Sequence, residues 1–274
     1  MSGKRMEIKR MALKYVMCFV VLLAGMSAFA DKGSPVIREE HKVVVDGVEE
    51  RWRLEWESPP GPACAPDEPE WMTCPCNGFA FGERGNLVLV RQKPGQDEER
   101  FALGRLFEEK FDAPGKAGEV VLRRWDVQEK DMEESHSPDF AARVRARPAA
   151  TTMLFGDYDH DGRPTEFLMQ IGTLPCGKKM NVAIGVARST GRLHVLSTVE
   201  HPERPLVMQS SQWESLRRAT APIKLVDWLC GDHGSDTETE LELSTDKDGI
   251  HVTRTEYKCD ENGKRGVLIN KEGL

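Results

Sequence analysis

Residues 42–56 read KVVVDGVEERWRLEW, and this stretch decides the fold class. The dipeptide Asp46-Gly47 stands between two runs of strand-forming residues, which is typical of a β-hairpin with a two-residue turn. After the turn, Trp52, Leu54 and Trp56 alternate with charged residues. A period of two places the three apolar side chains on one buried face. The stretch therefore predicts an antiparallel hairpin.

Similar runs recur along the chain and extend this prediction to the whole molecule. Residues 98–111 fit either a helix or a strand, and Ser210–Arg218 predicts a short helix. We therefore expect a mainly β fold of antiparallel sheets, sandwich-like or partly propeller-like, with one or two short helices. Further strands are predicted at 79–81, 87–91, 120–125, 151–155, 166–171, 181–187, 193–198, 237–243 and 250–257.

Composition divides the chain into regions. Residues 1–30 are a predicted signal peptide, and 31–126 form an N-terminal β region with a Cys-rich loop. Residues 127–149 are a charged, polar linker or excursion, and 150–274 form a C-terminal β region with an acidic loop. The length also allows 31–274 to form a single domain.

The N-terminus has the three parts of a Sec-type signal peptide. Five basic residues precede an apolar run from Tyr15 to Ala24, and Ala28-Phe29-Ala30 follows. Small residues at these two positions predict cleavage before Asp31, and the run is shorter than the roughly 20 residues that span a bilayer. We expect a periplasmic or secreted protein with no membrane insertion after cleavage.

The charge of the mature chain excludes one class of partner. Loss of residues 1–30 removes five basic residues and one acidic residue, which changes the net charge from −7 to −11. Nucleic acids and anionic membranes attract basic proteins, so neither is an expected partner. The partner classes that remain are an envelope protein and a glycan.

Six cysteines remain after cleavage, and an even number in an exported chain indicates disulfides. Cys230 and Cys259 flank a predicted hairpin and could close it. The trio Cys64, Cys74 and Cys76 is expected to send at least one bond to a distant strand. A zinc site in the trio is the alternative, although its spacing differs from that of common zinc knuckles.

Residues 157–166, DYDHDGRPTE, carry the strongest chemical pattern, and we call them the acidic loop. Asp157, Asp159 and Asp161 can turn inward together, and Gly162 permits a sharp bend. Carboxylates packed this closely repel one another unless a cation lies between them. The pattern therefore predicts a Ca²⁺ site, since calcium prefers several oxygen ligands.

The core of the acidic loop resembles the EF-hand calcium loop. Its setting, with Phe155-Gly156 before it and a strand after it, resembles the FG-GAP loops of integrin-type propellers. The resemblance covers about fifteen residues and implies that Asp157, Asp159, Asp161 and the carbonyl of Arg163 are ligands. The EF-hand's bidentate glutamate is replaced by Leu168, and the integrin-type position 9 is Thr165. Either Glu166 closes the site, or coordination is incomplete.

No linear catalytic motif stands out in the chain. We expect a non-enzymatic, exported calcium-binding β domain that acts as a binding or structural module of the cell envelope. Two alternatives remain open: an exported hydrolase whose site is assembled from loops, and a subunit of an envelope complex, which an uncovered edge strand would support.

Overall fold

The predicted hairpin at residues 42–56 is confirmed in a computed structural model, which describes residues 34–68, 71–73, 75–107, 114–125, 128–174 and 178–274. Strand β1 (Val36–Val45) pairs antiparallel with β2 (Val48–Trp56). Both turn residues have positive φ, 50° at Asp46 and 81° at Gly47. Such a turn matches the right-handed twist of the paired strands, which explains the Asp-Gly dipeptide.

The fold is mainly β, as predicted, with four antiparallel sheets. Their spatial orders are β1-β2-β5-β6, β3-β4-β7, β11-β10-β9-β8 with β12 also paired to β10, and β13-β14-β15-β16. The remaining strands are β3 Gly61–Ala63, β4 Gly82–Gly85, β5 Leu87–Gln92, β6 Glu99–Ala102, β7 Val120–Leu122, β8 Phe155–Gly156, β9 Glu166–Leu174, β10 Lys178–Val186, β11 Leu193–Val195, β12 Met208–Gln209, β13 Ile223–Trp228, β14 Thr237–Thr245, β15 Ile250–Cys259 and β16 Arg265–Gly273.

Helices are few and short. They are α1 Cys76–Phe79, α2 Glu129–Glu134, α3 Phe140–Arg145 and α4 Ser210–Arg218, with 3₁₀ turns at Gly104–Phe107 and Asp232–Gly234. The predicted strand at 79–81 is wrong, because Phe79 ends α1 and the backbone bends at Phe81, where φ is 59°. The ambiguous stretch resolves into β6 followed by a 3₁₀ turn, and residues 108–113 lie outside the described residues.

Two large apolar clusters fill the interior. The first lies between the N-terminal sheets and β9 and β10, and contains Trp52, Trp56 and Phe167. The second lies beneath α4 and contains Trp213 and Tyr158. Trp213 is fully buried and its indole N–H donates to the carbonyl of Asn181, which ties α4 to β10.

Helices α2 and α3 lie in the charged segment 127–149, which was predicted as a polar linker or excursion and is described from residue 128. Phe140 and Val144 of α3 pack with Trp71, Phe81 and Trp125 in a third, smaller apolar cluster. Phe140 and Val144 are four residues apart, close to one helical turn, so both lie on one helix face. Through this face α3 is packed against Trp71 and against Phe81 and Trp125, which lie next to β4 and β7 in the chain. Residues Pro35–Leu274 form one compact unit.

Two disulfides join described cysteines. Cys230 is bonded to Cys259, as the sequence suggested, and Cys64 is bonded to Cys76. The second bond removes two of the three thiolates that a zinc site in the trio would need. Cys74 and Cys176 lie outside the described residues. Disulfides form and persist in oxidising compartments, which indicates a non-cytoplasmic setting.

The predicted signal peptide, residues 1–30, also lies outside the described residues. Among the helices that the structure describes, none has the length and apolar character that crossing a membrane requires.

Candidate metal centre

The acidic loop closes the β8–β9 hairpin. Phe155 pairs with Phe167 and Gly156 pairs with Glu166, so the two ends of the loop are held by backbone pairing. The rings of Phe155 and Phe167 lie 5.9 Å apart, edge to face, and Phe155 also contacts Trp52. These contacts anchor the base of the loop in the first apolar cluster.

The aspartates fold the loop by capping its own amide groups. The backbone N–H of Asp161 donates to carboxylate oxygens of Asp157 and Asp159, at 3.0 and 3.1 Å. The N–H of Gly162 donates to the other oxygen of Asp157, at 3.0 Å. Gly162 has φ 85°, a left-handed conformation that suits glycine. Asp157 and Asp159 therefore turn inward, whereas Asp161, the third aspartate of the pattern, has other partners.

Three carboxylates converge at the base of this loop. Asp157, Asp159 and Glu166 each offer an oxygen, and the three oxygens lie within 4.8 Å of one another. Calcium binds oxygen at about 2.3–2.6 Å, so two ligands of one ion are at most about 5 Å apart. The three residues therefore fit a single Ca²⁺ ion in both charge and spacing. No other group of three or more such side chains is found among the described residues.

Glu166 is the most buried of the three. Its side chain accepts hydrogen bonds from the Thr165 hydroxyl, at 2.6 Å, and from the backbone N–H of Tyr158, at 3.2 Å. Burial and the nearby charge of Asp159 raise the pKa of Glu166 from 4.5 to about 8. Burial, followed by repulsion from Asp161, also raises the pKa of Asp159. In the absence of a cation, this arrangement disfavours ionised carboxylates.

The fold leaves space for Glu166 on the neighbouring strand. A Cβ atom at Gly185 of β10 would lie 2.6 Å from Cγ of Glu166, which is too close for any side chain. Gly185 therefore admits a long acidic side chain into the interior. This requirement involves a residue nineteen positions away in sequence, and nothing in the local pattern indicated it.

Asp161 and Arg163, the other two predicted ligands, have different partners. The carboxylate of Asp161 accepts a hydrogen bond from Nε of Arg163 at 2.6 Å and lies 3.4 Å from Nε of Arg188. Burial opposes ionisation of Asp161, but the hydrogen bonds from Arg163 and the positive charges of Arg163 and Arg188 together outweigh it and keep the pKa of Asp161 below its usual range. The carbonyl of Arg163 accepts the N–H of Thr165, at 2.8 Å. Calcium ligation by these two residues stays a prediction.

The loop also contacts the second apolar cluster. Tyr158 is buried there, its ring lies edge to face with Trp213 at 6.0 Å, and its hydroxyl donates to Glu214 at 2.9 Å. Nε2 of His160 lies 2.9 Å from the carbonyl oxygen of Leu216 at the end of α4. The three-carboxylate cluster therefore lies between the two apolar clusters, where a bound ion can stabilise their joint position.

Comparisons with known proteins add no assignment. No protein-family model matches the chain, and no curated protein matches it significantly.

Proposed function

We propose that this protein is a periplasmic or secreted calcium-binding β domain that acts as a binding or structural module of the cell envelope. The observation that supports this proposal best is the convergence of Asp157, Asp159 and Glu166 within 4.8 Å at the base of an anchored hairpin. Six to eight oxygens surround calcium in proteins, so water or the predicted ligands Asp161 and the Arg163 carbonyl complete the shell.

The ion has a structural role in this proposal. Calcium binds the folded loop and not the unfolded chain, so it stabilises the folded state by mass action. It also offsets the burial and the mutual repulsion that raise the pKa values of Asp159 and Glu166. Few protein ligands give weak binding, and calcium sites of extracellular modules have dissociation constants of about 10⁻⁴–10⁻³ M. Such affinities suit a compartment where calcium is abundant.

The test is calcium binding to the mature, oxidised protein, measured by titration calorimetry and by thermal unfolding with calcium or a chelator. We expect calcium at about 5 mM to raise the melting temperature, and the double variant Asp157→Ala plus Asp159→Ala to abolish both binding and the rise. A matched control is Asp246→Ala plus Asp248→Ala, in the acidic turn between β14 and β15. An unchanged melting temperature in the wild-type protein would contradict the proposal.

A second candidate function, a subunit of an envelope complex, is favoured by β16. This edge strand is exposed along its whole length, including Val267, Leu268 and Ile269, which are 73%, 57% and 51% exposed. Such a strand presents unpaired backbone groups to which another chain can add. Register shifts against β15 make the strand irregular, which limits the length of any added pairing. Hydrogen exchange of residues 265–273 in an envelope extract, compared with the purified protein, tests this alternative: unchanged exchange argues against it.

A further inference from the structure

A cavity of about 230 Å³ lies beside the acidic loop, between α4 and strands β9 and β10. Its lining includes Leu154, Tyr158, Leu168, Gln170, Asn181 and Ser210. Drug-sized ligands occupy roughly 300–1,000 Å³, so the cavity suits a smaller molecule or one unit of a larger one. None of the five predicted calcium ligands lines the cavity, which makes it a separate feature of the molecule.

Gln170 supplies a hydrogen-bond acceptor that lacks a partner. Its side-chain nitrogen donates to the carbonyl of Gly78 at 2.9 Å and lies 3.5 Å from the carbonyl of Gly172. Both neighbours are acceptors, so the amide nitrogen must face them and the amide oxygen must face away. That oxygen is buried and has no partner among the described residues. A buried acceptor without a donor is unfavourable, so the site favours a ligand that donates a hydrogen bond.

Neighbouring groups are fixed in place and present further polar atoms. The side-chain nitrogen of Asn181 donates to the carbonyl of Lys179, at 2.9 Å, and to the hydroxyl of Ser210, at 2.7 Å. Because both amide hydrogens of Asn181 are engaged, its oxygen is left to accept and the Ser210 hydroxyl is left to donate. Tyr158 donates to Glu214, which leaves its hydroxyl oxygen as a further acceptor. The lining therefore offers several acceptors beside at least one donor.

Apolar side chains complete the lining. Leu154 is 66% exposed, and Leu122 and Leu168 also border the cavity. A sugar ring has one face of C–H groups and a rim of hydroxyl groups that can both donate and accept. This combination matches leucine side chains beside a preorganised, mainly accepting polar set. Lys179 and Arg123 in the lining would oppose an ammonium ligand, and the carboxylate of Glu214, which also lines the cavity, is already paired with Arg217.

We propose that this cavity binds one saccharide unit, with hydroxyl groups donating to Gln170 and Asn181 and the ring packed on Leu154. The proposal extends beyond the calcium site and does not depend on it. It gives the binding module a ligand class, and it identifies Gln170 as the residue that favours a hydroxyl-rich ligand over an apolar one of the same size.

The test is saturation-transfer NMR on the mature, oxidised protein with single sugars. The panel contains glucose, galactose, mannose, N-acetylglucosamine, glucuronate and galacturonate, each at about 10 mM, a concentration that detects millimolar affinity. The acidic sugars show whether Lys179 and Arg123 favour a carboxylate. We expect transfer to at least one sugar, and no transfer to any of the six would overturn the proposal.

Variants then locate the site. Gln170→Met removes the acceptor at similar volume, and Leu154→Asp changes a side chain that is 66% exposed and lies outside the buried core. Each is expected to weaken binding about tenfold, which is the effect of losing one good contact. Leu229→Asp, at a leucine that is 56% exposed and does not line the cavity, is the control and should bind as the wild type does. Wild-type affinity in both the Gln170 and the Leu154 variants would overturn the proposal, and the Leu154 variant keeps the test valid if the Gln170 variant fails to fold.

Discussion

Replacement of Glu166 by glutamine has opposite expected effects in the presence and absence of calcium. The carboxyl group is 1% exposed, and its pKa rises from 4.5 to about 8 when calcium is absent. Since the pKa of an acid is higher in the folded state, the folded protein binds the proton more tightly than the unfolded chain. Calcium-free stability is therefore lost as pH rises from 4.5 towards 8.

The magnitude follows from the pKa difference. At pH 7 the unfolded glutamate is ionised and the folded one is mostly protonated, which costs about 3 kcal/mol of folding free energy at about 1.4 kcal/mol per pKa unit. Glutamine cannot ionise and avoids this cost. The glutamine side chain has one acceptor oxygen for the two donors, the Thr165 hydroxyl and the Tyr158 N–H. The loss of one hydrogen bond lowers the free energy of unfolding by about 1 kcal/mol. The calcium-free variant should be about 2 kcal/mol more stable than the wild type at pH 7.

Thermal unfolding measures this difference. For a domain of this size, 1 kcal/mol shifts the melting temperature by about 2–4 °C, so Glu166→Gln should raise it by about 4–8 °C in a chelator at pH 7. The gain should shrink at pH 5, where the wild-type cost is small. With calcium the wild type should become more stable and the variant should not. Glu242→Gln, at an exposed glutamate of β14, is the control. A variant less stable than the wild type in chelator at pH 8, or one that gains as much from calcium, would refute the reasoning.

Three further predictions concern the scaffold around the site. Arg91 and Glu50 form a buried ion pair, in which two guanidinium nitrogens donate to the two carboxylate oxygens at 2.5 and 2.8 Å. Glu50→Gln should therefore lower the free energy of unfolding, measured by urea titration, by about 2–4 kcal/mol. The control Glu49→Gln, at an exposed glutamate, should change it little. The Cys230–Cys259 disulfide spans 29 residues, so its replacement by two serines should lower the free energy of unfolding by about 3–4 kcal/mol. A loss below about 1 kcal/mol would contradict this prediction and would mean that other contacts already restrain this segment in the unfolded chain. A hydrogen bond to Glu200 raises the pKa of His251, so this pair stabilises the fold below pH 6.5, and the stabilisation is lost as pH rises through the raised pKa. His251→Gln should therefore lower the free energy of unfolding by about 0.5 kcal/mol at pH 5.5 and leave it unchanged at pH 9. A difference that does not vary with pH would contradict this prediction.

The site shows where reasoning from the sequence ends. Alternating aspartates and Gly162 predicted an inward-turning loop, because neighbouring residues alone determine such a turn. Which of the predicted carboxylates converge depended also on residues elsewhere. Arg188 draws Asp161 aside together with Arg163, and Gly185 makes room for Glu166. Neither Arg188 nor Gly185 belongs to the loop, so no local pattern could have identified their effect.

By itself the sequence determined the antiparallel hairpin at Asp46-Gly47, the β-rich class, helix α4 and the set of acidic side chains that could meet a cation. Each depends on turn chemistry or on periodicity within a few residues, and such local preferences act in any context. Only the tertiary structure decided that Cys64 pairs with Cys76 and that α3 packs against Trp71 and Trp125. It also decided that Gln170 borders a cavity and that its amide oxygen has no hydrogen-bond donor among the described residues. These features join residues far apart in the chain, and they arise only when the sheets pack and bring distant side chains within contact distance.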